Sequence, residues 1–298
     1  MTMKQGTIIG GIVAVPDIDT ALEDYRERLG FELVEDGWVG EELAGSWGCP
    51  GNAKSRMVTL RPSSGAHCFY RLVEQPIPES FVPTTTYGWG SYEITCLDVF
   101  GWPDRIAGGG FDIVGEPKEI PGMPYFVAMQ VHGTGKEMLY FNEVRSNTPT
   151  SDLPKAGSQM DHIFIVILAT PDRESTVEWY RTKLGLDEGE TYVIAYSMIN
   201  NAFGLPPETQ SSITMVQKDR MPIVEVDDFP DQAKPRPRAD GQLPPGNSLV
   251  SLAVKDLDAC DLKWIEAPAL RDGAIYAGKR SATTLGPAGE LLELVEIA

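Results

Sequence analysis

The chain has 298 residues, 42% apolar and 23% charged, with a formal net charge of −18. That length and composition suit a soluble globular protein of two ordinary domains. The acidic balance argues against nucleic acid and anionic membrane surfaces as partners, since both need clustered Lys and Arg.

No stretch approaches the roughly 18 apolar residues of a membrane span, and the N-terminus lacks the apolar run of a signal peptide, so a cytoplasmic protein is expected. Cys49, Cys68, Cys96 and Cys260 show no CxxC spacing and read as reduced thiols rather than a disulfide framework.

In chain order, the pattern predicts a strand at 8–15 and a helix capped by Asp17 and closed by Gly30. A strand at 31–35, a Gly/Trp/Pro-rich loop and strands at 56–60 and 66–73 follow. A Pro-rich connector, 75–90, leads to a strand at 91–98. Next comes a short helix with Pro103 in its first turn, ended by Gly108-Gly109-Gly110. Strands at 111–115, 126–131 and 136–142 complete a second βαβββ unit, and 145–159 reads as a linker.

The second half repeats the plan. The stretch MDHIFIVILATPDRESTVEWYRTKLG, 160–185, is an alternating strand, a Pro171-Asp172 turn and an amphipathic helix. Asp172 and Tyr180 are eight apart, as are Asp17 and Tyr25, and Gly185 follows Tyr180 by five as Gly30 follows Tyr25. Residues 47–60 match 203–216, and the closing arms match at 135–144 and 289–298. Self-similarity over half a chain indicates duplication. The last quarter predicts a connector at 229–246, a strand at 248–255, a helix from Asp256 and a final hairpin.

On MDHIFIV, the PD…YR..LG helices and the terminal GPAGELLELVE, the chain resembles the vicinal oxygen chelate superfamily: glyoxalase I, extradiol ring-cleaving dioxygenases, methylmalonyl-CoA epimerase and the bleomycin and fosfomycin resistance proteins. The resemblance covers nearly the whole chain. It implies an α+β fold of four βαβββ modules in tandem pairs, with an N-terminal domain at 1–145, a linker at 146–159 and a C-terminal domain at 160–298. Homodimers are common among such relatives.

The resemblance also implies where ligands would lie. Each module pair forms a cup, in which a His opening a module and a Glu near the end of its last strand hold a divalent metal. His162 would be the first ligand, Glu293 the last, and Glu225 a third, for Fe, Mn, Zn or Ni. Without a metal, the same residues would act as acid and base. Asn247-Ser248-Leu249 stands where ring-cleaving relatives have a histidine. His162 lies ten residues before Asp172, whereas Gly10 lies seven before Asp17. His162 as a strand-end histidine and Glu293 as a paired edge carboxylate are the structural alternatives.

The N-terminal cup has Gly10 for His, Tyr92 about where its second His would be, and Leu139 or Tyr140 for Glu. It is rich instead in aromatics (Trp47, Tyr87, Trp89, Trp102, Tyr125, Phe126), which suit a flat ligand or simply fill a core. Tyr92 and Tyr140 are candidate acids, and His67 and His132 candidate bases. The expectation is an enzyme of lyase or isomerase type acting on a small, oxygenated, aromatic molecule. The alternatives are an extradiol-type dioxygenase and a metal-free binding or resistance protein.

Overall fold

Each module opens with a strand that is buried on both faces, because both faces are covered. In a computed structural model, which describes residues 3–120 and 123–297, β1 (Ile8–Val15) is buried at every position. Module one continues with α1 (Ile18–Glu23), β2 (Glu32–Trp38), α2 (Glu41–Ser46), β3 (Arg56–Arg61) and β4 (Phe69–Glu74). Module two comprises β5 (Gly88–Cys96), α3 (Trp102–Ile106), β6 (Asp112–Ile120), β7 (Met123–His132) and β8 (Met138–Val144). Module three comprises β9 (Met160–Thr170), α4 (Arg173–Leu184), β10 (Asp187–Ala195), α5 (Ser197–Phe203), β11 (Gln210–Lys218) and β12 (Met221–Asp228). Module four has β13 (Gly246–Val254), β14 (Ala269–Leu270), β15 (Arg280–Leu285) and β16 (Leu291–Glu296).

The repeated helix signals form as expected. The Asp17 carboxylate accepts from Thr20 N at 2.8 Å and that of Asp172 from Ser175 N at 3.0 Å, satisfying first-turn donors. Gly185 closes α4 in the left-handed conformation, φ 61°. The helix expected from Asp256 does not form. Asp256 instead accepts from Asp258 N at 2.8 Å, and Leu257 N donates to Glu296 at 3.1 Å, so local side-chain bonds displace the helical ones.

The result is α+β, with two eight-stranded mixed sheets. The sheets do not follow chain order. One runs β14-β15-β16-β13-β1-β4-β3-β2 and joins module four to module one. The other runs β10-β11-β12-β9-β5-β8-β7-β6 and joins module three to module two. The seams are antiparallel pairings of β1 with β13 and β5 with β9. Each cup therefore draws on both halves of the sequence, which corrects the expectation of one cup per half.

The main core lies between the sheets and takes Val13, Tyr70, Leu72, Val250, Leu252 and Leu292 from one and Ile94, Leu139, Phe141, Val166, Leu168 and Val226 from the other. Two matching hydrogen bonds cross this core. Tyr25 donates to Glu137 at 2.9 Å and Tyr180 to Glu290 at 2.8 Å. The repeated tyrosines and the repeated closing arms thus serve one purpose: a helix on one sheet is tied to the last turn of the other.

Candidate functional site

Strand register places four positions at the floor of each cup. Parallel pairing sets Ile12 opposite Arg71, Glu93 opposite Tyr140, Ile167 opposite Glu225, and Ser251 opposite Glu293. The first member of every pair stands five residues before an aspartate that follows the strand: Asp17, Asp98, Asp172 and Asp256. The first cup holds Ile12, Arg71, Ser251 and Glu293; the second holds Glu93, Tyr140, Ile167 and Glu225.

The first cup is filled by the chain itself. Arg71 and Glu293, each about 1% exposed, form an ion pair at 2.7 Å. Arg71 also donates to Ser251 Oγ at 2.8 Å and to the Tyr276 hydroxyl at 2.7 Å. Glu293 accepts from Trp47 Nε1 at 3.0 Å, from Tyr276 at 2.7 Å and from Ser251. The guanidinium lies 5.4 Å from the Trp47 ring and 5.6 Å from the Tyr276 ring, within cation–π range. Burial would raise the Glu293 carboxyl, but Arg71 and the three hydrogen bonds hold it below the usual carboxylate range.

In the second cup, acids gather without a base. Glu93, Glu225 and Asp227 are all buried, and none of them pairs with a basic side chain among the described residues. Glu225 and Asp227 share a face of β12, two residues apart, and hydrogen-bond each other. Burial pushes Glu225 up to about 7. Asp227 is raised by burial and by the Glu225 and Glu93 charges, and Glu93 by burial and the Glu225 charge. Asn142 donates to Glu93 at 3.1 Å. The Tyr140 and Tyr196 hydroxyls meet at 3.0 Å, and Tyr196 also hydrogen-bonds Glu225. A cavity of about 20 Å³, room for about one water, opens here between Ser91, Tyr140, Ile167, Tyr196, Met198 and Asp227. Ser91 Oγ, Asn142 Oδ1 and Asp227 Oδ1 are buried without a hydrogen-bond partner.

The structure does not bring His162, Glu225 and Glu293 together. Glu293 lies on the first sheet, while His162 and Glu225 lie on the second. His162 opens β9, five residues before the floor position Ile167, and its Nδ1 sits 3.3 Å from Asp161. Tyr92 faces the central core, one residue out of phase with the cup. Its hydroxyl lies 2.7 and 2.8 Å from the Ile12 and Leu249 carbonyls, and its ring packs on Gly11, where an added Cβ would stand 2.7 Å away. Tyr140 does line the cavity.

His67 is exposed and packs edge-on to Phe69, and His132 Nε2 is buried without a partner. Trp47, Trp89 and Trp102 are core residues. Glu93, Asp227, Tyr196 and Ser91 were not foreseen. The available signal was a pair of carboxylates two apart in the apolar run IVEVDD and a lone one in SYEIT.

No protein-family profile matches the sequence, and no curated protein does. Solved structures do match over nearly the full length. Glyoxalase I from Zea mays superposes with a TM-score of 0.63 at 18% identity, covering 97% of this chain and 92% of that one. A candidate dioxygenase from Bacillus subtilis gives 0.60 at 10% identity, covering 99% and 86%. The chain has the two-domain vicinal oxygen chelate fold. Proteins of this fold often bind divalent metals, so the donor sets of both cups bear on the point. The vicinal oxygen chelate cups here contain no imidazole at their floor positions. In the first, a guanidinium already stands against Glu293; in the second, the carboxyls bond each other and a phenol. Among the described residues no group of three His, Cys, Asp or Glu side chains could hold a metal ion. The residues of the two cups do not fit a metal.

Proposed function

We propose that the second cup is an acid–base site for a small oxygenated molecule, working by proton transfer as in a lyase or isomerase. The observation that supports this is the Glu225–Asp227 carboxyl pair, of which Asp227, its Oδ1 without a hydrogen-bond partner, lines the cavity together with two phenols. Two buried carboxyls sharing a site do not ionise together, so near neutrality one keeps its proton while the other can accept one. The ionised member takes a proton from the carbon beside a substrate carbonyl. The C–H electrons move into the C–C bond, the carbonyl electrons move onto oxygen, and Tyr140 or Tyr196 donates a hydrogen bond to that oxygen. Where the deprotonated carbon carries a hydroxyl, returning the proton to the former carbonyl carbon, as that hydroxyl gives up its proton to become the new carbonyl and the first oxygen is protonated, completes an isomerisation. Expelling a leaving group from the carbon on the other side, as the enolate electrons form the new C=C bond, completes an elimination. The phenol rings suit a flat substrate.

The test is hydrogen–deuterium exchange in D2O, followed by NMR, across a panel of hydroxyketones and phenolic ketones. The proposal expects exchange that rises as Glu225 ionises near pH 7 and falls by about 10²–10⁴-fold in Glu225→Gln. Undiminished exchange in both Glu225→Gln and Asp227→Asn would remove it. A metal-free binding protein is the second reading, favoured by adaptable Met138 and Met198 in so small a cavity. Saturable binding without exchange would select it. The dioxygenase alternative has no support in the donor set.

A further inference from the structure

The two cups are built on one plan, and the first shows how such a cup is satisfied. Its buried carboxylate, Glu293, is met by the guanidinium of Arg71, which lies between the Trp47 and Tyr276 rings. The second cup has carboxyls at Glu93, Glu225 and Asp227, and rings at Tyr140 and Tyr196. At the two positions that match Arg71, it has Glu225 and Tyr140. The carboxyls and aromatic walls are therefore kept, and none of the described residues supplies the cation.

Three oxygens that can accept hydrogen bonds, Ser91 Oγ, Asn142 Oδ1 and Asp227 Oδ1, are left without donors, and Ser91 and Asp227, each about 1% exposed, line the cavity. Unpaired buried acceptors are costly, and a donor-rich cation meets both the charge and the acceptors.

We infer that the second cup recognises a primary ammonium group, carried by a small amine whose organic part extends past Tyr196 and Met198. The inference rests on the reading of this cup as the ligand site and adds the substrate class, an amine-bearing molecule. An ammonium is preferred to a guanidinium because the space is about that of one water.

The titratable groups facing the site are Glu93 from β5, Tyr140 from β8, Glu225 and Asp227 from β12, and Tyr196 at the start of α5. The neighbouring Asp228 is paired with Arg173. Ammonium binding needs ionised carboxylates, so protons leave as the amine enters, and affinity rises with pH.

The experiment titrates the full chain with benzylammonium and with benzyl alcohol, its neutral isostere, by calorimetry at pH 6 and pH 8. Expected are binding of the amine at least tenfold tighter at pH 8, and an alcohol at least tenfold weaker. Asp227→Asn and Ser91→Ala should each weaken the amine, while the surface variant Glu119→Gln should not. Circular dichroism checks that each variant is folded. Equal affinity for the alcohol, or tighter amine binding at pH 6, overturns the ammonium assignment but leaves the cup a ligand site. Silence from both probes at millimolar concentration also overturns it, and the deuterium-exchange assay then decides the acid–base reading independently.

Discussion

Arg71 makes the first cup a structural element rather than a site. Its guanidinium is held by Glu293, Ser251 and Tyr276, so the strongest carboxylate in that cup is already engaged. Arg71→Met would leave Glu293 buried and uncompensated. We expect a loss of about 3–5 kcal/mol in urea unfolding, largely recovered in the double variant Arg71→Met with Glu293→Leu. Recovery failing in the double variant would mean that the charges are needed for more than mutual neutralisation. A paired carboxylate was one of the sequence readings of Glu293, and it is paired, though buried rather than at an edge. The partner could not be read, because Arg71 is 222 residues away in sequence.

At the scale of the element, β5 and β12 set the second cup through alternation. Glu93 and Tyr92 are neighbours on opposite faces, so aligning the strand one residue early exchanges a cup carboxylate for a core tyrosine. Gly11 records the consequence, since it is the close approach that admits the Tyr92 ring. Gly11→Ala should destabilise by about 1–3 kcal/mol through overpacking, with Gly11→Ala and Tyr92→Leu together less than additive in denaturant unfolding. Full additivity would show that ring and glycine do not press on each other.

The strand order within a module, the helix caps at Asp17 and Asp172 and the stop at Gly185 were legible because each is a local rule of spacing. The aspartate that follows the opening strand in each module was legible too. It would have set His162 aside, since that residue lies ten before Asp172 rather than five. The missing helix after Asp256 was not legible, because one of the bonds that replace the helical ones runs from Leu257 N to Glu296, far along the chain.

Across the whole molecule, duplication has produced two sheets that each combine an early module with a late one. Chain order alone cannot reveal that exchange, because either pairing of modules presents the same strands. It follows that each cup is complete within one chain.

The Tyr25–Glu137 and Tyr180–Glu290 ties run between the sheets, and burial pushes both carboxyls up to about 7. A carboxyl raised in the folded state from its ordinary value near 4.5 contributes fully below that value. The contribution is lost as pH rises through about 7. Glu293, Asp161 and the capping Asp17 and Asp172 are held low and act in the opposite sense, losing their contribution as pH falls below the ordinary carboxylate range. The unfolding free energy should therefore peak on the acidic side of neutrality and decline toward pH 8. A steady rise from pH 5 to pH 8 would contradict the buried acids.

The most direct measurement is a carbon-13 NMR titration of labelled glutamate carboxyls in the folded chain, with and without benzylammonium, assigned through Glu225→Gln. We predict that Glu225 titrates near 7 and that its resonance alone among Glu137, Glu225 and Glu290 moves when the amine is added. A Glu225 that titrates near 4.5, or that ignores the amine while resonances of the first cup respond, would contradict the account.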